Sequence, residues 1–383
     1  MRQRILLGTV FFCVLGFAVA CGDDDGAPTP AATETGAAST GTPGQPTATP
    51  MATAPPLTKA AFTAVGDLAE PRSLHIAALL PNGRVLVAGG GRSRSGPPPV
   101  LASTEIYDPI ARTFTKGADL NANRATFAAA MLLDGRILIA GGTAADGTAL
   151  RSAELYDPAG GTLKLVGELV DARAAQAMVV LKDGSVLVVG GRGAGGTALT
   201  STEVFDPAKL PFSAGPPLAR ANDSPQGVLL PNGSVLVAGD GTAQILVAGD
   251  SAFRMLSDRT DLPEVAVALS DGRVLLTGGV DHELARTLPT PPPNSDRSVP
   301  AIKAAVILDP ASGALTVVGS MHDARMLHQA LLLADGRVLI AGGVPDSHFD
   351  GGTLASAEIF DPRTATFSRT GPMARGRVWF TLT

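Results

Sequence analysis

Five arginines, Arg72, Arg124, Arg173, Arg325 and Arg377, occupy one position of a repeating pattern. Four of these repeats also carry an acidic residue further along, Glu105, Glu154, Glu203 and Glu358. Two chemistries fit such a set. A ring of guanidinium groups recognises carboxylates or anionic sugars, whereas an arginine and a glutamate in each repeat make an internal ion pair. The pattern of absence favours pairing. Asn222 and Asp261 stand at the arginine position of the other two repeats; Val306 replaces the glutamate in one, and the other shows no Ser-x-Glu element. Joint presence and joint absence is what a pair requires, because a buried carboxylate without its cation is costly.

A second polar set lies on stretches of irregular length. Arg92 and Arg94, then Asp281, His282, Glu283 and Arg286, and finally His348 are the candidate ligand-binding residues. His75 and His328 share a repeat position and read as packing residues, while His282, His322 and His348 fall on loops and read as solvated. No grouping has metal-ligand spacing, so neither a metal nor another cofactor is expected. Neither Gly-x-Ser-x-Gly nor His-Glu-x-x-His occurs, and no catalytic residue is assigned.

The elements that position these residues repeat six times. An Asn-Gly or Asp-Gly turn leads into an apolar run ending at glycine, as in Asn82-Gly83 to Gly89-Gly90 and Asp134-Gly135 to Gly141-Gly142. The same step recurs at Asp183, Asn232, Asp271 and Asp335. Such turns favour two-residue type I′ hairpins, and a terminal Gly pair lets the chain bend away from the sheet. A third strand, Ser-x-Glu-apolar-aromatic-Asp-Pro, follows at Ser103–Pro109, Ser152–Pro158, Ser201–Pro207 and Ser356–Pro362, with a degenerate copy at Ala304–Pro310. Phe114, Leu163, Phe212, Leu315 and Phe367 then open a fourth strand. Four antiparallel strands per repeat predict an all-β fold, a β-propeller of six complete blades. Phe62–Leu68 aligns with a fourth strand and Arg377–Thr383 with a first, so the two termini are expected to form part of a seventh blade.

The Gly pair, the Tyr/Phe-Asp-Pro turn and the large apolar residue after it resemble the kelch repeat over nearly all of residues 58–383. The usual fourth-strand Trp is replaced by Phe or Leu, and the 223–258 repeat is short. Kelch-like propellers include copper-radical oxidases resembling galactose oxidase, and that resemblance implies a Tyr crosslinked to Cys, a second Tyr and His ligands. This chain departs from it. Its two cysteines are Cys13 and Cys21, and its two tyrosines, Tyr107 and Tyr156, belong to the third-strand motif. The Asp-box ending of sialidase propellers is absent too, since the single Trp is Trp379.

The amino terminus reads as an address. Arg2 and Arg4 precede an apolar run from Ile5 to Ala20, short for a membrane span and right for a secretory signal over 1–20. Ala18-Val19-Ala20 before Cys21 resembles the lipobox of bacterial lipoproteins, although Ala18 stands where Leu is usual. That resemblance implies lipidation of Cys21 and a lipid anchor in the cell envelope, the outer membrane if Gram-negative; a plain secreted protein is the alternative. Residues 21–57, rich in Gly, Ala, Pro, Thr and Ser, read as a disordered tether. Residues 58–383 form the propeller.

Of 383 residues, 45 are Gly and 30 Pro, only 17% are charged, and the net charge is −5. A chain without a basic block does not bind nucleic acid through phosphate neutralisation. Long loops gathered at one end of a rigid scaffold are where binding resides. The sequence therefore points to a non-catalytic envelope module that engages an extracellular or envelope protein, peptide or glycan. A carbohydrate-active hydrolase or lyase and a purely structural envelope protein are the alternatives.

Overall fold

The computed structural model describes residues 61–91, 99–257, 259, 262–280, 299–347 and 352–383. They build an all-β propeller of six four-stranded antiparallel blades, each from consecutive strands. Blade 1 holds β1 (Ile76–Leu79), β2 (Val85–Ala88), β3 (Thr104–Asp108) and β4 (Thr113–Lys116). Blade 2 holds β5 (Ala128–Met131), β6 (Ile137–Ala140), β7 (Ser152–Asp157) and β8 (Thr162–Glu168). Blade 3 holds β9 (Ala177–Val180), β10 (Val186–Val189), β11 (Thr202–Phe205) and β12 (Phe212–Ala214). Blade 4 holds β13 (Gln226–Leu229), β14 (Val235–Gly239), β15 (Thr242–Leu246) and β16 (Arg254–Ser257). Blade 5 holds β17 (Val265–Ala268), β18 (Val274–Thr277), β19 (Ala304–Leu308) and β20 (Leu315–Ser320). Blade 6 holds β21 (Gln329–Leu332), β22 (Val338–Ala341), β23 (Ala357–Asp361) and β24 (Thr366–Arg369). One 3₁₀ turn, Ala194–Gly196, is the sole helical element among the described residues. No helix among them is long and apolar enough to cross a membrane.

Each blade is buried on both faces, so its second strand is apolar at successive positions rather than alternately. One row of that strand packs against the preceding blade and the other against the following blade. Ile137 and Ile139 join a cluster with Ile76 and Leu86 of blade 1, while Leu138 and Ala140 join one with Met178 and Val186 of blade 3. The aromatic of the third strand leans on that of the fourth, as in Phe205–Phe212 at 5.0 Å and Phe360–Phe367 at 4.9 Å.

The first hairpin of each blade differs from the expected two-residue turn. In blade 2, Leu132 N–H donates to the Arg136 carbonyl at 2.7 Å and Gly135 N–H to the Leu132 carbonyl at 3.0 Å. Only the glycine is left-handed, with φ +84°. This is a type I turn completed by a glycine bulge. Asp134 explains the choice, because its Oδ1 accepts the Arg136 amide at 3.0 Å, a local bond that holds the aspartate in the right-handed region.

The Gly pair does more than bend the chain. It is where neighbouring blades touch through backbone. Gly90 N–H donates to the Arg124 carbonyl of the next blade at 2.8 Å, and Gly142 does the same to Arg173 at 2.8 Å.

The terminal segments depart from expectation: neither Phe62–Leu68 nor Arg377–Thr383 forms a strand. The second segment nevertheless keeps the repeat register. Gly343 N–H donates to the Arg377 carbonyl at 2.8 Å, and Arg377 N–H to Leu354 at 3.1 Å. Leu74 N–H reaches the Trp379 carbonyl at 3.2 Å, just as Thr126 N–H reaches Leu74 at 3.1 Å. The segment thus stands between blade 6 and blade 1 as a further inner spoke.

Two alanine substitutions separate conformation from crowding. A Cβ at Gly83 (φ +78°) meets nothing within 4 Å, whereas one at Gly90 (φ +90°) falls 2.5 Å from the Ser73 carbonyl. Gly83→Ala is expected to cost about 1–2 kcal/mol, the left-handed penalty alone. Gly90→Ala is expected to cost about 3 kcal/mol or more, since backbone must move. Denaturant unfolding of the two variants checks the ranking.

Candidate functional site

The repeated arginines lie inside the blades. The Arg72, Arg124, Arg173 and Arg325 side chains are each 0% exposed. Each guanidinium meets its glutamate through Nη2: 2.9 Å to Glu105, 2.6 Å to Glu154, 2.7 Å to Glu203 and 2.9 Å to Glu358. The other bonds are equally regular. Arg124 Nη1 donates to the carbonyls of Gly141 (2.6 Å) and Ser152 (3.1 Å), and Nη2 also donates to Ser152 Oγ at 3.0 Å. Both Nη groups of each arginine are thus filled from within, while its Nε is buried without a partner. With no exposed side-chain surface, these four guanidinium groups are not presented to an external anion.

Each glutamate is satisfied from its other side by the chain entering the blade. Glu203 Oε2 accepts the Val170 amide at 2.7 Å and Oε1 the Asp171 amide at 3.0 Å. Glu154 accepts the Asn121 amide at 2.8 Å and Glu358 that of His322 at 2.7 Å. Burial raises the Glu358 carboxyl, but the His322 amide and ring, the Asp323 amide and Arg325 together hold it below its ordinary range. Burial also pulls the Arg124 and Arg325 guanidinium groups down, with their glutamates opposing it. Asp323, bonded by both Arg369 nitrogens at 2.8 and 2.7 Å, titrates at about 2.

Blade 4 carries a neutral version that the repeat pattern concealed. Gln244 occupies the glutamate position, opposite Val237 as Glu203 is opposite Val188. Its Oε1 accepts the Arg220 amide at 2.9 Å and its Nε2 donates to the Arg220 carbonyl at 2.9 Å. The clue was Gln244-Ile-Leu standing where other repeats read Glu-apolar-aromatic.

The two carbonyls held by each arginine are the two ends of the loop between the second and third strands. The arginine-to-glycine separation is 17 residues in blades 1, 2, 3 and 6, whereas arginine to serine is 31, 28, 28 and 31. One guanidinium therefore closes loops of different length at the same two points. Blade 5 lacks the arginine, and its long insertion is anchored sideways. Val299 N–H donates to Ser347 Oγ at 2.8 Å, Ser347 N–H to the Val299 carbonyl at 3.0 Å, and Ala301 N–H to Pro345 at 2.8 Å. The bases of the two loops that contain Asp281, His282, Glu283, Arg286 and His348 are thus joined. Those five residues, with Arg92 and Arg94, lie outside the described residues, as do Cys21, the signal and the tether.

The histidines divide in two. His322 is exposed, as expected of a loop histidine, and is also bonded through Nδ1 to Glu358 at 2.8 Å. His75 and His328 are buried, with Nε2 3.3 Å from Thr381 Oγ1 and 3.0 Å from Thr277 Oγ1 respectively. Burial, reinforced by Arg72 and Arg377, lowers His75 to about 3; burial and Arg325 lower His328 well below its usual value. On the opposite face a cleft of about 270 Å³ between blades 1 and 2 includes Arg84 and Lys116. Both cations are occupied, by Asp108 at 3.0 Å and Asp119 at 3.1 Å.

No family model and no curated protein matches the chain. Among solved structures, a fungal alcohol oxidase of the AA5 family in complex with copper aligns with a TM-score of 0.64 at 20% identity, over 80% of this chain. This chain spans 66% of the oxidase's length. YjhT aligns with a TM-score of 0.56 at 13% identity, over 80% of this chain and 99% of its own. Both likenesses are to the propeller fold. The residues here do not fit the oxidase's copper. Tyr156 is 3% exposed in a blade–blade core, and Tyr107 packs on Phe114 at 4.9 Å. No cluster of three His, Cys, Asp or Glu among the described residues is placed to hold a metal ion.

Two expected outcomes follow. Glu154→Gln or Arg124→Asn alone is expected to cost about 3–5 kcal/mol, because each strands a buried partner. The double variant, which copies the Asn222 and Gln244 of blade 4, is expected to cost less than the sum by at least about 1 kcal/mol in a double-mutant cycle. For the histidines, the folded pKa lies below the unfolded value near 6.5, so their contribution is complete above that pH. It is lost as pH falls, by about 1.4 kcal/mol per unit per histidine. Gln176 occupies the same repeat position, so a His75→Gln/His328→Gln variant is expected to fold and to flatten the stability slope between pH 6.5 and 5 measured by urea unfolding.

Proposed function

We propose that this protein is a lipid-tethered binding module of the bacterial cell envelope, a kelch-type propeller that engages a protein, peptide or glycan through its loop face. Cys21 carries the lipid, residues 21–57 hold the propeller off the membrane, and the loops provide the contacts. Arg92, Arg94, Asp281, His282, Glu283, Arg286 and His348 are its polar contact residues, and the largest insertion is its centre. The reading rests above all on the loop bracket. The charged groups common to the blades are consumed in closing loops of different length onto one rigid frame, which is how a scaffold presents variable recognition segments. The bases of the blade 5 and blade 6 loops are joined through Val299 and Ser347, which supports taking that corner as the centre of the contact.

The Cys21→Ala chain, exported without its anchor, is the reagent for a glycan array and for crosslinking to envelope extracts. Specific capture is expected, and it is expected to disappear when residues 282–300 are deleted. Capture that survives the deletion removes the insertion from the proposal. Labelled palmitate is expected to enter the native chain and not the Cys21→Ala form.

A further inference from the structure

The geometry points to a binding site for a small organic carboxylate in the cleft between blades 1 and 2, with Arg84, Lys116 and the Tyr156 hydroxyl as its donors. The site lies on the face opposite the loops and does not depend on the loop-face reading. Two departures from the repeat make it. In five blades the turn between the third and fourth strands holds one left-handed residue. These are Arg112, Gly161, Leu210, Gly313 and Ala365, with φ between +55° and +74°. Blades 1 and 3 carry a long side chain there, and blade 2 carries none. A Cβ at Gly161 meets nothing within 4 Å, whereas one at Gly313 falls 3.6 Å from the Leu256 carbonyl of the preceding blade. The space beside Gly161 is therefore open, and it forms part of the cleft.

The second departure is a hydroxyl. The third-strand aromatic is Phe205 in blade 3 and Phe360 in blade 6, each 0% exposed, and at the same register position blade 2 has Tyr156. Its ring is 3% exposed and belongs to the core between blades 1 and 2. Its hydroxyl has no hydrogen-bond partner among the described residues, and it is not among the polar atoms sealed from solvent. It opens instead into the cleft that Tyr156 lines. A buried tyrosine ordinarily finds an acceptor for its proton. Burial, and after it the Asp157 carboxylate, raise the pKa of this phenol, so it stays a donor.

Unused donors make up the rest of the polar lining. Arg84 gives Nε and Nη2 to Asp108, each at 3.0 Å, and keeps Nη1. Lys116 gives one of three ammonium hydrogens to Asp119 at 3.1 Å. Asn82 uses its Oδ1 on the Arg84 amide at 3.1 Å and keeps its Nδ2. The Arg84 and Lys116 side chains are 52% and 73% exposed, so their ion pairs are weakly held. No acidic side chain lines the cleft, and Ile106 and Pro158 give it apolar wall. Donors and cations beside apolar carbon fit a ligand with acceptor oxygens, negative charge and an apolar body. The volume of about 270 Å³ equals that of about nine waters, which admits an acid the size of an arylacetate.

The test titrates the Cys21→Ala chain with phenylacetate by calorimetry. Saturable one-to-one binding is expected, with phenylacetamide, which lacks the charge, about tenfold weaker or more. The repeat itself supplies variants that its blades already tolerate. Tyr156→Phe copies blades 3 and 6, Arg84→Ser copies Ser185 and Ser234, and Gly161→Leu copies Leu210 at a matching φ. The first two are expected to weaken phenylacetate by about tenfold or more, and Gly161→Leu, which fills the cleft, to abolish it. Urea unfolding of each variant checks that the fold is intact. Absent saturable binding, equal binding of acid and amide, or binding that survives Gly161→Leu in a folded chain overturns the proposal. Deleting residues 282–300 is expected to leave phenylacetate binding unchanged, so the cleft and the loop face fail independently.

Discussion

The propeller depends on a cation placed where water does not reach. A guanidinium with no exposed surface needs most of its hydrogen-bonding directions filled. Each of the four buried arginines fills the four directions of its Nη groups from its own blade, leaving only Nε without a partner. Those partners lie on different elements: the end of the second strand, the start of the third and, through the glutamate, the chain arriving from the preceding blade. The arginine fixes the upper end of a blade in one arrangement. Its contribution is specificity of geometry more than net stability, since a buried pair roughly balances its desolvation. Blade 4 supports that view, because Gln244 holds the incoming chain without any charge.

The same node explains how loops vary without disturbing the ring. Carbonyls at both ends of a loop share one nitrogen, so three extra residues between them change nothing below. Where the arginine is missing, the loop follows a different rule. In blade 4 it shrinks to the turn between Gly239 and Thr242, which needs no bracket. In blade 5 it is long and leans on the adjacent loop through Val299 and Ser347. Loop length and mode of anchorage are therefore coupled.

Much of this was legible in the residues. Six repeats of turn, apolar run and Gly pair announce six blades, because strands buried on both faces need apolar side chains at every position. The arginines and glutamates announced each other by vanishing together. Gln244 was hidden because its blade lacks the flanking Ser and Asp-Pro that mark the third strand. His322 is exposed as its loop position implied, but its bond to Glu358 was not legible, because nothing local says that a loop side chain will fold back onto that carboxylate. The type I′ expectation failed because an Asp or Asn side chain can satisfy the turn locally, leaving only the glycine left-handed.

The sequence by itself determined the strand order, the repeat and the chemical identity of the buried pairs, since each rests on local spacing and on the cost of burying a polar group. Only the tertiary structure decided which charges are spent and which are free. Arg124 and Arg377 have equivalent places in the repeat, yet one is sealed within a blade and the other stands in the open. The difference is made by two strands that surround the first and have no counterpart around the second among the described residues, a fact about neighbours in space that no repeat position carries.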